Sequence, residues 1–147
     1  MAHIRRQIRE AIGIKLTGLA LTGANVFQSR VYALDDTELP AILIATEIED
    51  VEASSISYPR LQKRNLLVSI KALAKANADL DDVLDEICSQ VEKALSADIG
   101  LNGLTKDLLL SSTNIALEGD GEKPIGVATM VWAANYQMKE TAPDVAF

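Results

Sequence analysis

Residues 107–138 read DLLLSSTNIALEGDGEKPIGVATMVWAANYQM. Two apolar-rich runs, 107–117 and 125–138, flank Glu118-Gly119-Asp120-Gly121-Glu122-Lys123-Pro124, whose Asp-Gly pair is a strong hairpin signal. The pattern predicts two long antiparallel strands closing the chain. Trp132 and Tyr136 stand four apart on the second run and so share one face, either as core or as an aromatic interface anchor.

Upstream of this hairpin the period changes. Leu80, Val83, Leu84, Ile87, Val91 and Leu95 form a stripe at helical spacing. Asn77 or Asp79 can cap that helix, and Asp81, Asp82, Asp85 and Glu86 crowd its first turns, where the helix dipole favours them. Gly100 and Gly103 make residues 97–105 a turn. Residues 61–73 alternate as a strand, with Leu66, Val68, Ile70 and Ala72 on one face and Asn65, Leu67, Ser69, Lys71 and Leu73 on the other. The acidic, then Ser-rich stretch 47–59 reads as an exposed hairpin tip or long loop, and residues 41–48 as a buried strand behind Pro40. Asp35, Asp36 and Glu38 form an acidic connector to a short strand at residues 26–32, which follows the turn Thr22-Gly23-Ala24-Asn25.

The chain opens with an amphipathic helix carrying Ile4, Ile8, Ala11, Ile12 and Leu19, with Arg5, Arg6 and Arg9 mostly on other faces. The order α-β-β-β-α-β-β predicts an α+β fold, a two-layer sandwich. Its sheet is mostly antiparallel, of about five strands, with the two main helices on one face. One domain is expected over residues 1–140, and residues 141–147 read as a flexible C-terminal tail.

Composition bounds the function. A chain of 147 residues buries roughly 70% of its unfolded surface, enough for a core without staples. With 48% hydrophobic residues but 4% aromatics, Ala, Leu, Ile and Val supply that core. A net charge of −7 argues against a partner held by phosphate neutralisation. Cys88 is alone, which excludes an intrachain disulfide and a Cys-based zinc site and fits a reducing cytoplasm. The first residues lack a signal-peptide pattern, and no run of about 18 apolar residues occurs, so no membrane partner is expected.

Reactive constellations are scarce. His3 is the sole histidine and falls at the start of the first helix, where it reads as a solvated terminus. Cys88 follows Ile87 on the second helix and reads as core. The cluster Asp79, Asp81, Asp82, Asp85 lacks the alternating loop ligands of a cation cage, and Asp120 with its glycines is better explained as a turn than as a calcium site. Gly13, Gly18 and Gly23 have no strand before them and no Gly-Lys-Ser/Thr ending. No catalytic, cofactor-binding or metal-binding residue is expected.

The order of features carries a resemblance. A basic first helix leads through Arg30-Val31-Tyr32 and an acidic spacer to Leu39-Pro40-Ala41-Ile42-Leu43-Ile44. Then come the Asp-rich helix Asp79-Leu80-Asp81-Asp82-Val83-Leu84-Asp85-Glu86-Ile87, residues 101–104 and a closing strand at residues 126–136. From about His3 to Met138 this resembles the tail terminator proteins of long-tailed bacteriophages, the lambda-type minor tail protein U family.

The resemblance implies a structural virion protein of the phage tail, assembled in the host cytoplasm. Its subunits form a sixfold ring on the tail tube, stop addition of the tail tube protein and present a surface to a head-completion or neck protein. No catalytic residue carries over. The regions implied as contacts for tube or neck include Glu49, Asp50, Glu52, Tyr58 and Arg60 in the 47–60 stretch, and Asp120, Glu122 and Lys123 in the closing turn.

A ring repeats a heterologous contact, so Arg5, Arg6 and Arg9 on one helix could meet Asp81, Asp82, Asp85 and Glu86 on a neighbour's other helix. Simple solvation explains both faces equally well. Six copies at −7 each would carry −42, a charge suited to a lumen through which DNA slides without sticking. The alternatives are a neck or head-completion connector, and a dimeric regulatory domain that binds a small molecule.

Overall fold

The computed structural model describes residues 1–28, 38–75, 79–118 and 125–147. The elements follow in the order α1 (Ile4–Leu16), β1 (Val26–Phe27), β2 (Ala41–Ala53), β3 (Leu61–Lys75), α2 (Leu80–Ser96), β4 (Asp107–Glu118) and β5 (Ile125–Lys139). This is the α+β order read from the sequence. The five strands form one sheet in the spatial order β1-β2-β3-β5-β4, antiparallel except for the short parallel pair β1/β2.

Strand alternation explains the core. Ile42 and Ile44 on β2, Leu66, Val68, Ile70 and Ala72 on β3, and Ala128, Met130, Trp132, Ala134, Tyr136 and Met138 on β5 all point to one face. Against it pack Ile4, Ile8, Ile12 and Leu16 of α1 and Leu84, Ile87, Cys88, Val91 and Leu95 of α2. Trp132 and Tyr136 are therefore core residues, which resolves the choice left open by their spacing.

Between α2 and β5 the packing is close. A Cβ added at Gly126 would stand 2.5 Å from Leu80 Cδ1 and 2.9 Å from Leu80 Cγ. Glycine there lets the first turn of α2 lie down on the sheet. Asp79 holds the N-cap position without a side-chain cap bond, and Asn77 lies outside the described residues.

Three boundaries differ from the sequence reading. The first helix, expected to carry Leu19, ends at Leu16, and Leu19 instead forms an isolated bridge with Gly23. The stretch 47–59 is not one loop: β2 continues to Ala53, and the turn spans residues 54–60. Acidic composition suggested solvent, yet opposite charges across a ladder stabilise it, and Glu52 pairs directly with Lys63, while Asp50 faces the neutral Asn65. Of the strand expected at residues 26–32, Val26–Phe27 is present as β1, while Arg30, Val31 and Tyr32, like the connector residues Asp35 and Asp36, lie outside the described residues. The closing hairpin is paired as far as Glu118↔Ile125, and its turn also lies outside them.

Residues 141–147, expected as a loose tail, turn back onto the domain. Pro143 O accepts from Ile4 N at 3.0 Å, and Phe147 N donates to Gln137 O at 2.8 Å.

Candidate functional site

A register break places an acid where the alternation calls for an apolar residue. Before it, Ile42 and Ile44 face the helices; the bulge between Thr46 and Glu49 shifts the phase by one, so Glu49 and Val51 face that way instead. The Glu49 side chain is only 8% exposed. Burial of a carboxylate demands partners, and three converge on it. Arg5 Nη1 donates to Oε2 at 2.6 Å, Arg64 Nη1 donates to the same oxygen at 3.0 Å, and the Tyr136 hydroxyl donates to Oε1.

The surroundings fix these groups in turn. Arg64 also donates through Nη2 to Gln62 Oε1 at 2.8 Å, and its Nη1 lies 3.4 Å from His3 Nε2. Burial, followed by the hydrogen bond to Glu49, pushes the Tyr136 hydroxyl far above the ordinary tyrosine range. Burial, then the neighbouring Arg5 charge, lowers the pKa of His3. His3 is thus no solvated terminus. It is the N-cap of α1, and its Nδ1 accepts from Arg5 N at 3.1 Å. With both Glu49 oxygens occupied, this cluster is built as a joint that ties α1 to β2, β3 and β5.

On the opposite sheet face the same strands form an open groove of about 340 Å³, lined by Asp50, Glu52, Lys63, Asn65, Lys106 and Gln137 among others. Asn65 Oδ1 is buried there without a hydrogen-bond partner among the described residues. Also among the described residues, no group of three or more His, Cys, Asp or Glu stands close enough to hold a metal ion, and no helix is long and apolar enough to cross a membrane. Cys88 is buried; its thiol is pushed up to about 11 by burial first and then by Glu92 and Asp85.

The residues singled out by sequence are only partly exposed surface. Arg5 is engaged with Glu49, Arg6 pairs with Glu10 at 2.8 Å, and Arg9 Nε is buried with no partner among the described residues. Asp81, Asp82, Asp85 and Glu86 are exposed on α2, Glu86 accepting from Gln90. The basic and acidic helix starts lie at opposite ends of the strands, because Glu49 shares a row with Ala134 while Leu80 sits over Gly126, about 26 Å away along β5.

Asp50 and Glu52 are exposed, but on a strand rather than a loop, and the Glu49 side chain is largely withdrawn from the surface. Tyr58 is exposed in the turn, while Arg60 is held by Glu140 through its backbone N and Nη1. Asp120, Glu122 and Lys123 lie outside the described residues. Sequence reading missed Arg5, Arg64 and Tyr136 as partners of Glu49, and His3 as a neighbour of Arg64, since no local pattern marks a bulge.

No family model matches this chain, and no curated protein matches its sequence. Among solved structures, a chain described as "Virion of native gene transfer agent (GTA) particle" superposes over 92% of this chain and 92% of that one, with a TM-score of 0.51 and 15% sequence identity. At that identity the two share a fold, and they share it over nearly the whole α-β-β-β-α-β-β domain.

Proposed function

We propose that this chain is a non-catalytic structural subunit of a phage-like virion, and that it caps the tail tube as a ring, with six copies expected. In this role it ends tube polymerisation and offers the surface on which a head-completion or neck protein docks. The observation that carries the reading is the fold shared end to end with a chain of a virion particle. The sequence resemblance to tail terminators narrows it from virion protein to terminator. The Glu49 cluster supports the non-catalytic part, because it spends its carboxylate, guanidinium and phenol groups on one another.

Electron microscopy of particles assembled without this protein tests the assignment. Overlong tubes are the expected outcome. Tubes of normal length that remain unattached to heads would make the chain a neck protein instead, and normal attached tails would overturn both.

A further inference from the structure

One end of the sheet carries two apolar features on opposite flanks. The first is the turn of residues 54–60 on the β2–β3 side, whose segment 54–59 holds no charge. At its tip Ile56 is 97% and Tyr58 77% exposed. The base of the turn is braced. Ser54 N donates to Leu61 O at 2.8 Å and Leu61 N to Ser55 Oγ at 2.9 Å, while Arg60 N donates to Glu140 Oε1 and Glu140 N to Arg60 O, both at 2.9 Å.

The second is an apolar pocket of about 270 Å³ in the C-terminal segment, lined by Lys139, Ala142, Val145, Ala146 and Phe147. Its flank follows from the register. Lys106 N donates to Asn135 O, so that oxygen points away from β3 and toward β4; Gln137 O, two residues on, points the same way and takes Phe147 N. β4 begins at Asp107, opposite Asn135, so the C-terminal segment takes the flank of β5 that lies beyond the start of β4. Val145 and Phe147 remain 52% and 55% exposed, and Lys139 Nζ stands 5.9 Å from the Phe147 ring centroid.

We propose that neighbouring copies of this chain lock together at this end, the Ile56–Tyr58 tip of one copy seating in the C-terminal pocket of the next. This inference rests on the ring reading above and names its contact. Three observations select a second copy as the occupant. The tip and the pocket are both apolar, and both stand open in the single chain. They lie at the same end of the strands on opposite flanks, so rotation about an axis along the strands carries the tip of each copy toward the pocket of the next at one level. That contact joins two different patches, which is what a closed ring requires. Copies at −7 each repel, whereas an uncharged tip entering a pocket whose only charged lining side chain is the cation Lys139 meets no such repulsion. Because the turn is already braced, little ordering remains to oppose docking.

The full chain, studied by native mass measurement and electron microscopy, tests this. Ile56→Lys sets a cation against the next copy's Lys139, and the ring population should fall roughly tenfold or more. Adding Lys139→Glu in the same chain should restore it. Both positions are exposed, so the thermal midpoint of the monomer stays near wild type. As a second measurement, a Ser57→Cys chain mixed with a Val145→Cys chain and treated with a short bismaleimide should yield covalent dimers that neither variant gives alone, the buried Cys88 staying unreacted. Rings as abundant with Ile56→Lys as in wild type, a loss that Lys139→Glu does not reverse, or dimers from Ser57→Cys alone would overturn this contact while leaving the ring reading intact. A wild-type chain that forms no ring, alone or on tail tubes, would remove the ring reading and this contact together.

Discussion

Glu49 shows how far one side chain can stand from its sequence context. In the chain it sits between Ile48 and Asp50 in an acidic run, and composition reads the run as solvent-facing. The bulge turns it inward, to partners 15, 44 and 87 residues away in sequence. No local period encodes such a convergence, whereas the neighbours Ile42 and Ile44 were legible because strand alternation places them without help. Arg5 is 43% exposed and can recover water when Glu49 is removed, but Arg64 is 14% exposed and cannot. Glu49→Leu therefore leaves a buried unpaired cation and should cost ~3 kcal/mol by urea denaturation. Tyr136→Phe removes one neutral donor and should cost about 1 kcal/mol. A Glu49→Leu midpoint equal to wild type would mean the joint holds nothing together.

At the level of elements, period was the reliable guide and composition the misleading one. The apolar stripe of α2, the alternation of β3 and the closing hairpin are all present where their spacing put them. The 47–59 stretch went wrong because Glu52 stands directly across from Lys63 and Glu49 pairs with Arg64, which makes an acidic strand acceptable. The contact between α2 and β5 was likewise invisible, since one glycine in a strand has many explanations. Gly126→Ala pushes a methyl into Leu80 and should destabilise by ~1 to 3 kcal/mol, through displacement of the first turn of α2. Leu80→Ala empties the same space, so the double variant should be more stable than the sum of the two losses predicts. Strictly additive costs in denaturant titrations would show that the two residues do not oppose each other.

On the scale of the whole molecule, the beginning and the end of the chain complete each other. A helix starts with four backbone N–H groups that have no partner inside it, and here all four are satisfied. Ile4 N donates to Pro143 O, Arg5 N to the His3 side chain, and Arg6 N and Gln7 N to His3 O. Gln7 Nε2 adds a bond to Asp144 O at 2.9 Å, and Ala146 packs against the core. The last residues thus act as an external cap on α1, at the same end of the sheet where Glu49 holds Arg5. Sequence could not announce this, because a short segment with proline and small residues is ordinarily a frayed end. Deleting residues 141–147 should cost ~2 to 4 kcal/mol from three lost hydrogen bonds and the uncovered apolar surface. The loss should also be local: amide exchange in the first turn of α1 should accelerate strongly while the amides of α2 keep their protection relative to global unfolding. A truncated chain with unchanged exchange in α1 would show that the segment merely rests on the surface, and the cap would then have to come from His3 alone.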